Sequence, residues 1–110
     1  MSEALRVFIV DDEAPARARM KTLLADIAAE VPNQLVGEAA NGIEALARLA
    51  DSPADVALVD IRMPQMDGIE LAQHLNKLFK PPVIIFTTAY DAYAIKAFEL
   101  HAIDYLLKPI

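Results

Sequence analysis

The chain has 110 residues, of which 55% are hydrophobic, and its 16 acidic and 10 basic residues give a formal net charge of −6 at pH 7. It contains no cysteine, which excludes a disulfide framework, a thiolate nucleophile and a cysteine-based zinc site. The negative charge disfavours direct binding to nucleic acid, and no run approaches the roughly 18 apolar residues of a membrane span. We therefore expect one domain that is soluble in the cytoplasm and has no membrane partner.

The first two strand patterns are separated by one helix pattern. Leu5–Val10 is a short apolar run that ends in Asp11-Asp12, and it predicts a buried strand. Pro15 suits the first turn of the following helix, because a backbone N–H is not needed there. Apolar residues then recur at helical spacing at Met20, Leu23, Leu24, Ile27 and Val31. After Pro32-Asn33, the more polar segment Gln34–Ala39 predicts a strand at the edge of a sheet.

The next helix and strand have clear sequence boundaries. Asn41 and Glu44 are spaced as a capping box, and the helix that they begin is expected to end near Asp51. The side chains expected to face inward from this helix are Ile43, Leu46 and Leu49. Val56–Val59 is an apolar run that stops at Asp60, and such a run is typical of a strand buried on both faces of a parallel sheet.

The second half of the chain continues the alternation. The elements that we predict there are a third helix, capped by Asp67 with Glu70 and extending to Lys80, a fourth strand at Val83–Phe86, a short fourth helix capped by Asp91, and a last strand at Tyr105–Leu107. Alternating strands and helices predict βαβ units and a parallel sheet with right-handed crossovers. We expect an α/β fold with a doubly wound, five-stranded parallel sheet. Such a sheet normally ends in a further helix, so the predicted domain, residues 1–110, lacks its last helix.

Polar side chains follow the carboxyl ends of four predicted strands. Asp11 and Asp12 follow the first strand, Asp60 follows the third, Thr87-Thr88 follows the fourth and Lys108 follows the fifth. In the strand order 2-1-3-4-5, the first and third strands are neighbours at the point where the order reverses. The three carboxylates would then share one crevice.

Three carboxylates in one crevice require compensation of their charge. Two of them about 5 Å apart repel by roughly 3 kcal/mol at an effective dielectric constant of about 20. The group must therefore gain protons, recruit a cation or pair with Lys108. Mg²⁺ fits, because it binds one or two protein carboxylates together with a phosphate. Asp60 could then act as a nucleophile and form an aspartyl-phosphate, with Lys108 and a threonine hydroxyl holding phosphoryl oxygens.

Four segments of the chain together resemble the receiver domain of two-component response regulators. They are VDDE near the N terminus, VDIRMPQMDG in the middle, TTA after the fourth strand and YLLKP at the end. The resemblance covers the whole chain in order and spacing. It implies the flavodoxin-like, CheY-like strand order 2-1-3-4-5 used above.

The same resemblance implies a role for each site residue. It implies that Asp60 is the phosphoacceptor residue, which receives a phosphoryl group from a sensor histidine kinase and makes the chain a phosphoprotein. The Mg²⁺ ligands that it implies are Asp12, Asp11 through water, Asp60 and the main-chain carbonyl of Arg62. It further implies that Thr88, which precedes Ala89, is the switch hydroxyl, that Lys108 contacts the phosphate in a cis Lys108-Pro109 segment, and that Tyr105 is the switch aromatic.

The C-terminal segment TTAYDAYAIKAFELHAIDYLLKPI is similar to receivers that precede a LytTR-type DNA-binding domain. This similarity implies a regulator of transcription whose output domain is absent from the chain, so that nucleic acid would be bound only through that domain. Such receivers often dimerise through a surface that includes the fourth helix and the fifth strand. Without a last helix, an apolar patch is expected beside the first helix. We expect a homodimer through the surface of the fourth helix and fifth strand, or a swapped oligomer.

Structural roles compete for several of these residues. Asp11-Asp12 could be helix N-caps, Asp60 a turn residue, Lys108 a solvated strand end and Tyr105 a packing residue of an edge strand. For the remaining candidates, we expect Tyr90 and Arg62 to rim the pocket, Met63 and Met66 to fill the loop and core, and His74 and His101 to have no role in the site.

Two other functions compete with a phosphorylation-controlled switch domain. A Mg²⁺-dependent phosphohydrolase also uses an aspartate nucleophile, but it usually needs an acid/base aspartate two residues later, where this chain has Arg62. A constitutive dimerisation module would never meet phosphate. We expect the switch domain, and we do not expect it to be an enzyme in its own right.

Overall fold

The computed structural model describes residues 4–88 and 104–107, in which strands and helices alternate along the chain. The described elements are β1 (Leu5–Val10), α1 (Ala14–Asp26), β2 (Asn33–Ala39), α2 (Gly42–Asp51), β3 (Val56–Asp60), α3 (Gly68–Leu75), β4 (Val83–Thr88) and β5 (Asp104–Leu107). The predicted fourth helix after Asp91 lies outside the described residues.

The sheet is parallel throughout the strands that the structure describes. Four strands stand in the predicted order β2-β1-β3-β4, and the backbone of β5 pairs with β4. The prediction of an α/β fold with a parallel sheet is confirmed. The segments on either side of β5 are not described, so the complete, doubly wound, five-stranded form without a last helix stays a prediction.

The two faces of the sheet carry two hydrophobic cores. Side chains alternate along β1, so that Phe8 and Val10 belong to one core while Val7 and Ile9 belong to the other. Helices α2 and α3 cover the first face, and α1 covers the second face with Met20. Complete burial of such side chains stabilises the fold by about 2 kcal/mol each. The strands are thereby fixed in register, and their carboxyl ends meet at one edge.

Two helices begin at the predicted caps. Asn41 Oδ1 accepts a hydrogen bond from the backbone N–H of Glu44 at 2.8 Å, and Asp67 Oδ1 accepts one from Glu70 at 2.8 Å. Both predicted N-caps are confirmed. Each depends on residues only three positions apart, which is why it could be predicted from the sequence. In the described part of the chain, no helix has the length and apolar character needed to cross a bilayer.

The predicted end of the first helix is wrong. The apolar spacing extends to Val31, but α1 ends at Asp26, and Ile27 and Val31 are each 43% exposed. The Asn33 side chain donates hydrogen bonds to the carbonyl oxygens of Leu24 and Val31, both at 2.9 Å. These bonds stabilise the turn that leads into β2.

The third helix is also shorter than predicted. It ends at Leu75 rather than Lys80, and the chain continues in turns such as the one closed by Leu78 N–H and the Leu75 carbonyl at 3.1 Å. Phe79 is 96% exposed. The inward orientation expected for Ile43 is wrong as well, because that side chain is 57% exposed while Ala45 is buried.

Candidate functional site

Strands β1 and β3 end side by side at the same level of the sheet. Val10 and Val59 are register partners, so the residues that follow them, Asp11 and Asp60, leave the two strands together. The Asp11 N–H donates to the carbonyl of Ala39 at 3.1 Å, which holds this turn against β2. Asp11 and Asp60 are only 2% and 5% exposed. Two carboxylates thus lie at the sheet edge with little contact with bulk water.

Asp12 completes a cluster of three carboxylates. Asp11, Asp12 and Asp60 each offer one oxygen, and these three oxygens lie within 4.8 Å of one another. Asp12 is exposed, whereas the other two residues are buried. Carboxylate oxygens are the ligands preferred by hard divalent cations, and a cation offsets the mutual repulsion of the carboxylates. The donor set therefore fits Mg²⁺.

Asp11 also makes a local turn at the start of α1. Its Oδ1 accepts a hydrogen bond from the Glu13 N–H at 2.9 Å. The N-cap position itself belongs to Glu13, whose side chain makes no capping hydrogen bond. The alternative that Asp11 and Asp12 are the N-cap residues is therefore wrong, and the turn instead orients the Asp11 carboxylate at the sheet edge.

The loop between β3 and α3 turns back sharply against Asp60. The Gly68 N–H donates to the Ile61 carbonyl at 2.8 Å. A Cβ on Gly68 would collide with the carbonyl oxygen of Asp60 and would lie 2.8 Å from Ile61 Cα. The absence of a side chain allows this close approach. This role of Gly68 was not predicted from the sequence, although its place directly after the cap residue Asp67 was a signal.

A cleft of about 400 Å³ opens on this loop. Its lining residues are Ile61, Arg62, Met63, Pro64 and Asp67. Arg62 is exposed, whereas Met63 is buried at 8% exposure and belongs to the hydrophobic core. The cleft therefore offers space for a bound group beside the segment that follows Asp60.

Most of the remaining candidate residues belong to β4, to β5 or to the segments next to these strands in the sequence. Thr87 is the register partner of Asp60, and its carbonyl accepts a hydrogen bond from the Ile61 N–H at 3.2 Å. On the next pair of strands, Thr88 is paired with Leu107 and Phe86 with Tyr105. Among the other candidates, His74 is exposed on α3, and Tyr90, His101, Lys108 and Pro109 lie outside the described residues.

A cationic side chain that was not predicted to belong to the site, Arg17, reaches the acidic edge of the sheet. Arg17 Nη1 donates to the carbonyl of Asp11 at 2.6 Å, and Arg17 Nε lies 3.0 Å from Glu38 Oε1. Lys21 Nζ lies 2.8 Å from Glu38 Oε2. The sequence contained one indication of this pair of cations, because Arg17 and Lys21 lie off the apolar stripe of α1 and one helical turn apart.

This network shifts the titration of Glu38. The hydrogen bond from Lys21 has the largest effect and lowers the pKa of Glu38, while partial desolvation raises it and the hydrogen bond from Arg17 lowers it further. The net pKa lies below the ordinary value of 4.5. Glu38 therefore favours its charged form, which joins β2 to α1 next to the Asp11 turn.

These observations define an α/β protein with a parallel sheet whose carboxyl edge carries a cluster of three carboxylates. The family model for the response regulator receiver domain matches residues 7–110. The chain therefore belongs to the response regulator receiver domain family. The resemblance based on four short segments is confirmed.

Curated relatives include both named regulators and an uncharacterized one. An uncharacterized response regulatory protein of Vibrio cholerae is 44% identical over 110 residues, which are 100% of this chain and 41% of that protein. The transcriptional regulatory protein BtsR of Salmonella typhi is 45% identical, with 96% of this chain and 43% of that protein covered. The sensory transduction protein LytT of Bacillus cereus is 45% identical, with 96% and 42% covered. The chain spans about two-fifths of these relatives, and the similarity to LytT agrees with the predicted LytTR-type group.

Solved structures support the same fold. The response regulatory domain of protein mrkE from Klebsiella pneumoniae is 35% identical with a TM-score of 0.87, covering 96% of this chain and 84% of that one. The chemotaxis protein CheY4 of Vibrio cholerae is 26% identical with a TM-score of 0.81, covering 98% and 89%. The chain thus has the flavodoxin-like, CheY-like receiver fold.

Proposed function

We propose that this domain accepts a phosphoryl group on Asp60 in a Mg²⁺-dependent transfer from a sensor histidine kinase. The observation that supports this proposal most directly is the meeting of Asp11, Asp12 and Asp60, whose oxygens lie within 4.8 Å of one another. Membership of the receiver family provides independent support.

In the proposed reaction, a carboxylate oxygen of Asp60 attacks the phosphorus of a phosphohistidine. A P–O bond forms, the P–N bond breaks, and the electron pair of that bond returns to the imidazole nitrogen, leaving an acyl phosphate on Asp60. When bound, Mg²⁺ would neutralise part of the charge of the phosphoryl group. The ligands that would hold the ion are Asp11, Asp12, Asp60 and the main-chain carbonyl of Arg62. Burial of Asp60 at 5% exposure strengthens these electrostatic interactions by excluding water.

We assign the response to phosphorylation to the last two described strands. Thr88 and Lys108 would bind phosphoryl oxygens, and Tyr105 would change its packing, so that the surface formed by the fourth helix and fifth strand is reshaped. The backbone register supports a short path, because Thr88 and Tyr105 lie on adjacent paired strands. A change in hydrogen exchange across residues 88–105 on adding Mg²⁺ and a phosphoryl mimic is expected, and no change there would contradict the switch.

The domain would act in the cytoplasm as part of a longer regulator. The relatives that it matches are more than twice its length, which leaves room for a separate output domain. We propose a LytTR-type DNA-binding output domain, with contact to nucleic acid made only by that domain.

We also propose self-association through an apolar surface beside α1. A cleft of about 360 Å³ lies between α1 and the sheet, and its lining includes Leu24, Ile27, Val56, Leu58 and Ile85. An apolar surface of this kind favours a homodimer or a swapped oligomer. Light scattering over a range of concentrations should give a mass above that of one chain, and a stable monomer at high concentration would contradict the proposal.

Intact-mass analysis after incubation with Mg²⁺ and a small phosphodonor tests the phosphoacceptor proposal. We expect the gain of one phosphoryl group in the wild-type domain and in Asp55→Asn, but not in Asp60→Asn or in the presence of a chelator. Asp55 is the matched control, because it directly precedes β3 at the opposite end of the same strand. No gain in the wild type, or a gain in Asp60→Asn, would contradict the proposal, and steady turnover of a phosphate ester would favour a phosphohydrolase.

A further inference from the structure

We infer that Arg17 is a positioning residue for the metal site, acting through the main chain of Asp11. This inference rests on the proposed Mg²⁺ site. Arg17 has no assigned role in the proposed phosphoryl transfer, and it lies on α1 rather than on the strands that end at the site. Its guanidinium nevertheless reaches the turn that carries two of the three carboxylates.

The contacts of Arg17 join three elements. Nη1 donates to the Asp11 carbonyl at 2.6 Å, and Nε donates to Glu38 Oε1 on β2 at 3.0 Å. The Arg17 side chain is only 18% exposed, so it is held more firmly than a surface arginine. The backbone of Asp11 is therefore fixed at its N–H by the carbonyl of Ala39 and at its carbonyl by Arg17.

The geometry of a guanidinium suits this task. Its nitrogen atoms form a rigid, planar fork, so one side chain can donate to the Asp11 carbonyl and to Glu38 in fixed directions at the same time. An ammonium group is a compact charge without this fork. Lys21 shares Glu38 with Arg17, but it lies one helical turn farther along α1.

Charge and position predict opposite effects on metal affinity. A cationic side chain near a cation site weakens cation binding by direct repulsion, so removal of charge alone would tighten Mg²⁺ binding. Removal of a group that orients a metal ligand weakens binding, commonly by about 10-fold to 100-fold. The direction of the change in Arg17 variants therefore distinguishes the two roles.

The test compares Arg17→Met with Lys21→Met by calorimetric titration with Mg²⁺ alone. Both variants remove one positive charge from α1 and one partner of Glu38, but Arg17→Met also removes the donor to Asp11. We expect Arg17→Met to lower Mg²⁺ affinity by about 10-fold and Lys21→Met to leave it within about twofold of wild type. Urea unfolding without metal should show a larger loss of stability in Arg17→Met, because it loses bonds to Glu38 and to the Asp11 carbonyl, whereas Lys21→Met loses only a bond to Glu38.

A charge-conserving pair keeps the test decisive if Arg17→Met does not fold. Arg17→Lys is compared with Lys21→Arg, and we expect weaker Mg²⁺ binding in the former alone. Affinity equal to or tighter than wild type in the folded Arg17 variants would overturn the inference, as would equal weakening in the matched Lys21 variants. Absence of Mg²⁺ binding in the wild-type domain would instead overturn the proposed function and this inference with it.

Discussion

Gly68 lies against the main-chain carbonyl of Asp60, at a position where a Cβ atom would overlap the carbonyl oxygen. The first residue of α3 is thereby packed onto the last residue of β3. The contact sets the path of the loop that carries Arg62 and lines the cleft beside the acidic cluster. Replacement of Gly68 should therefore disturb both the stability of the fold and the position of Asp60.

We expect Gly68→Ala to lower the free energy of unfolding by about 2 kcal/mol, because backbone atoms must shift to admit the added methyl group. Gly42→Ala is the matched control, since Gly42 is also the first residue of its helix. There the new Cβ would meet Met66 Sδ at 2.9 Å, at a flexible side chain that can move. Urea unfolding should show a clearly smaller loss in Gly42→Ala, and equal losses would contradict the contact with Asp60.

Gln65, in the same loop, has a backbone φ of 70°, which lies in the left-handed region. For a residue with a side chain this conformation costs about 1 kcal/mol, and more for a β-branched residue. We expect Gln65→Gly to stabilise the fold by up to about 1 kcal/mol and Gln65→Val to destabilise it by about 1–2 kcal/mol. Chemical denaturation measures both changes, and a Val variant as stable as the Gly variant would contradict the strained conformation.

The Glu38 network predicts a dependence of stability on pH. Because the pKa of Glu38 is lower in the folded domain than its ordinary value of 4.5, its contribution is fully present above that value and is lost as the pH falls through the folded pKa. Glu38 is one-third exposed, so the contribution is modest, at most about 1 kcal/mol.

We therefore expect the difference in unfolding free energy between wild type and Glu38→Gln to shrink as the pH is lowered from about 6 to about 3. The control is Glu44→Gln, which removes a carboxylate from an exposed pair in which Arg48 Nε lies 3.6 Å away. A loss of the same size and pH dependence in the control would contradict the assignment to the Glu38 network.

Mg²⁺ should stabilise the folded domain, because the cluster of carboxylates is assembled only there. At about ten times its Kd, a ligand of one folded-state site adds about 1.4 kcal/mol to the unfolding free energy. We expect this gain in the wild type and in Asp26→Asn, at the far end of α1, but not in Asp12→Asn. Replacement of Asp12 removes one of the mutually repelling carboxylates, so the metal-free stability should be equal to or higher than that of the wild type. Equal stabilisation of all three proteins by Mg²⁺ would contradict the site.

The sequence by itself determined the features that depend on near neighbours. The caps at Asn41 and Asp67 rely on contacts three residues apart, and the buried strand Val56–Asp60 is marked by an unbroken apolar run. The alternation of strands and helices was sufficient to predict the parallel sheet. Parallel packing in turn places the residues that follow β1 and β3 at one edge, which is why the acidic cluster could be anticipated.

Tertiary packing decided the features that depend on distant residues. From helical spacing alone, the first helix was predicted to extend to Val31. In the fold it ends at Asp26, and the Asn33 side chain donates a hydrogen bond to the carbonyl of Leu24. Periodicity likewise could not show that Ile43 faces solvent, because a hydrophobic pattern counts apolar residues without specifying what covers them. The link from Arg17 to Asp11 and Glu38 was equally hidden. It exists only because α1, β1 and β2 are packed together, and no spacing within one element encodes such a contact.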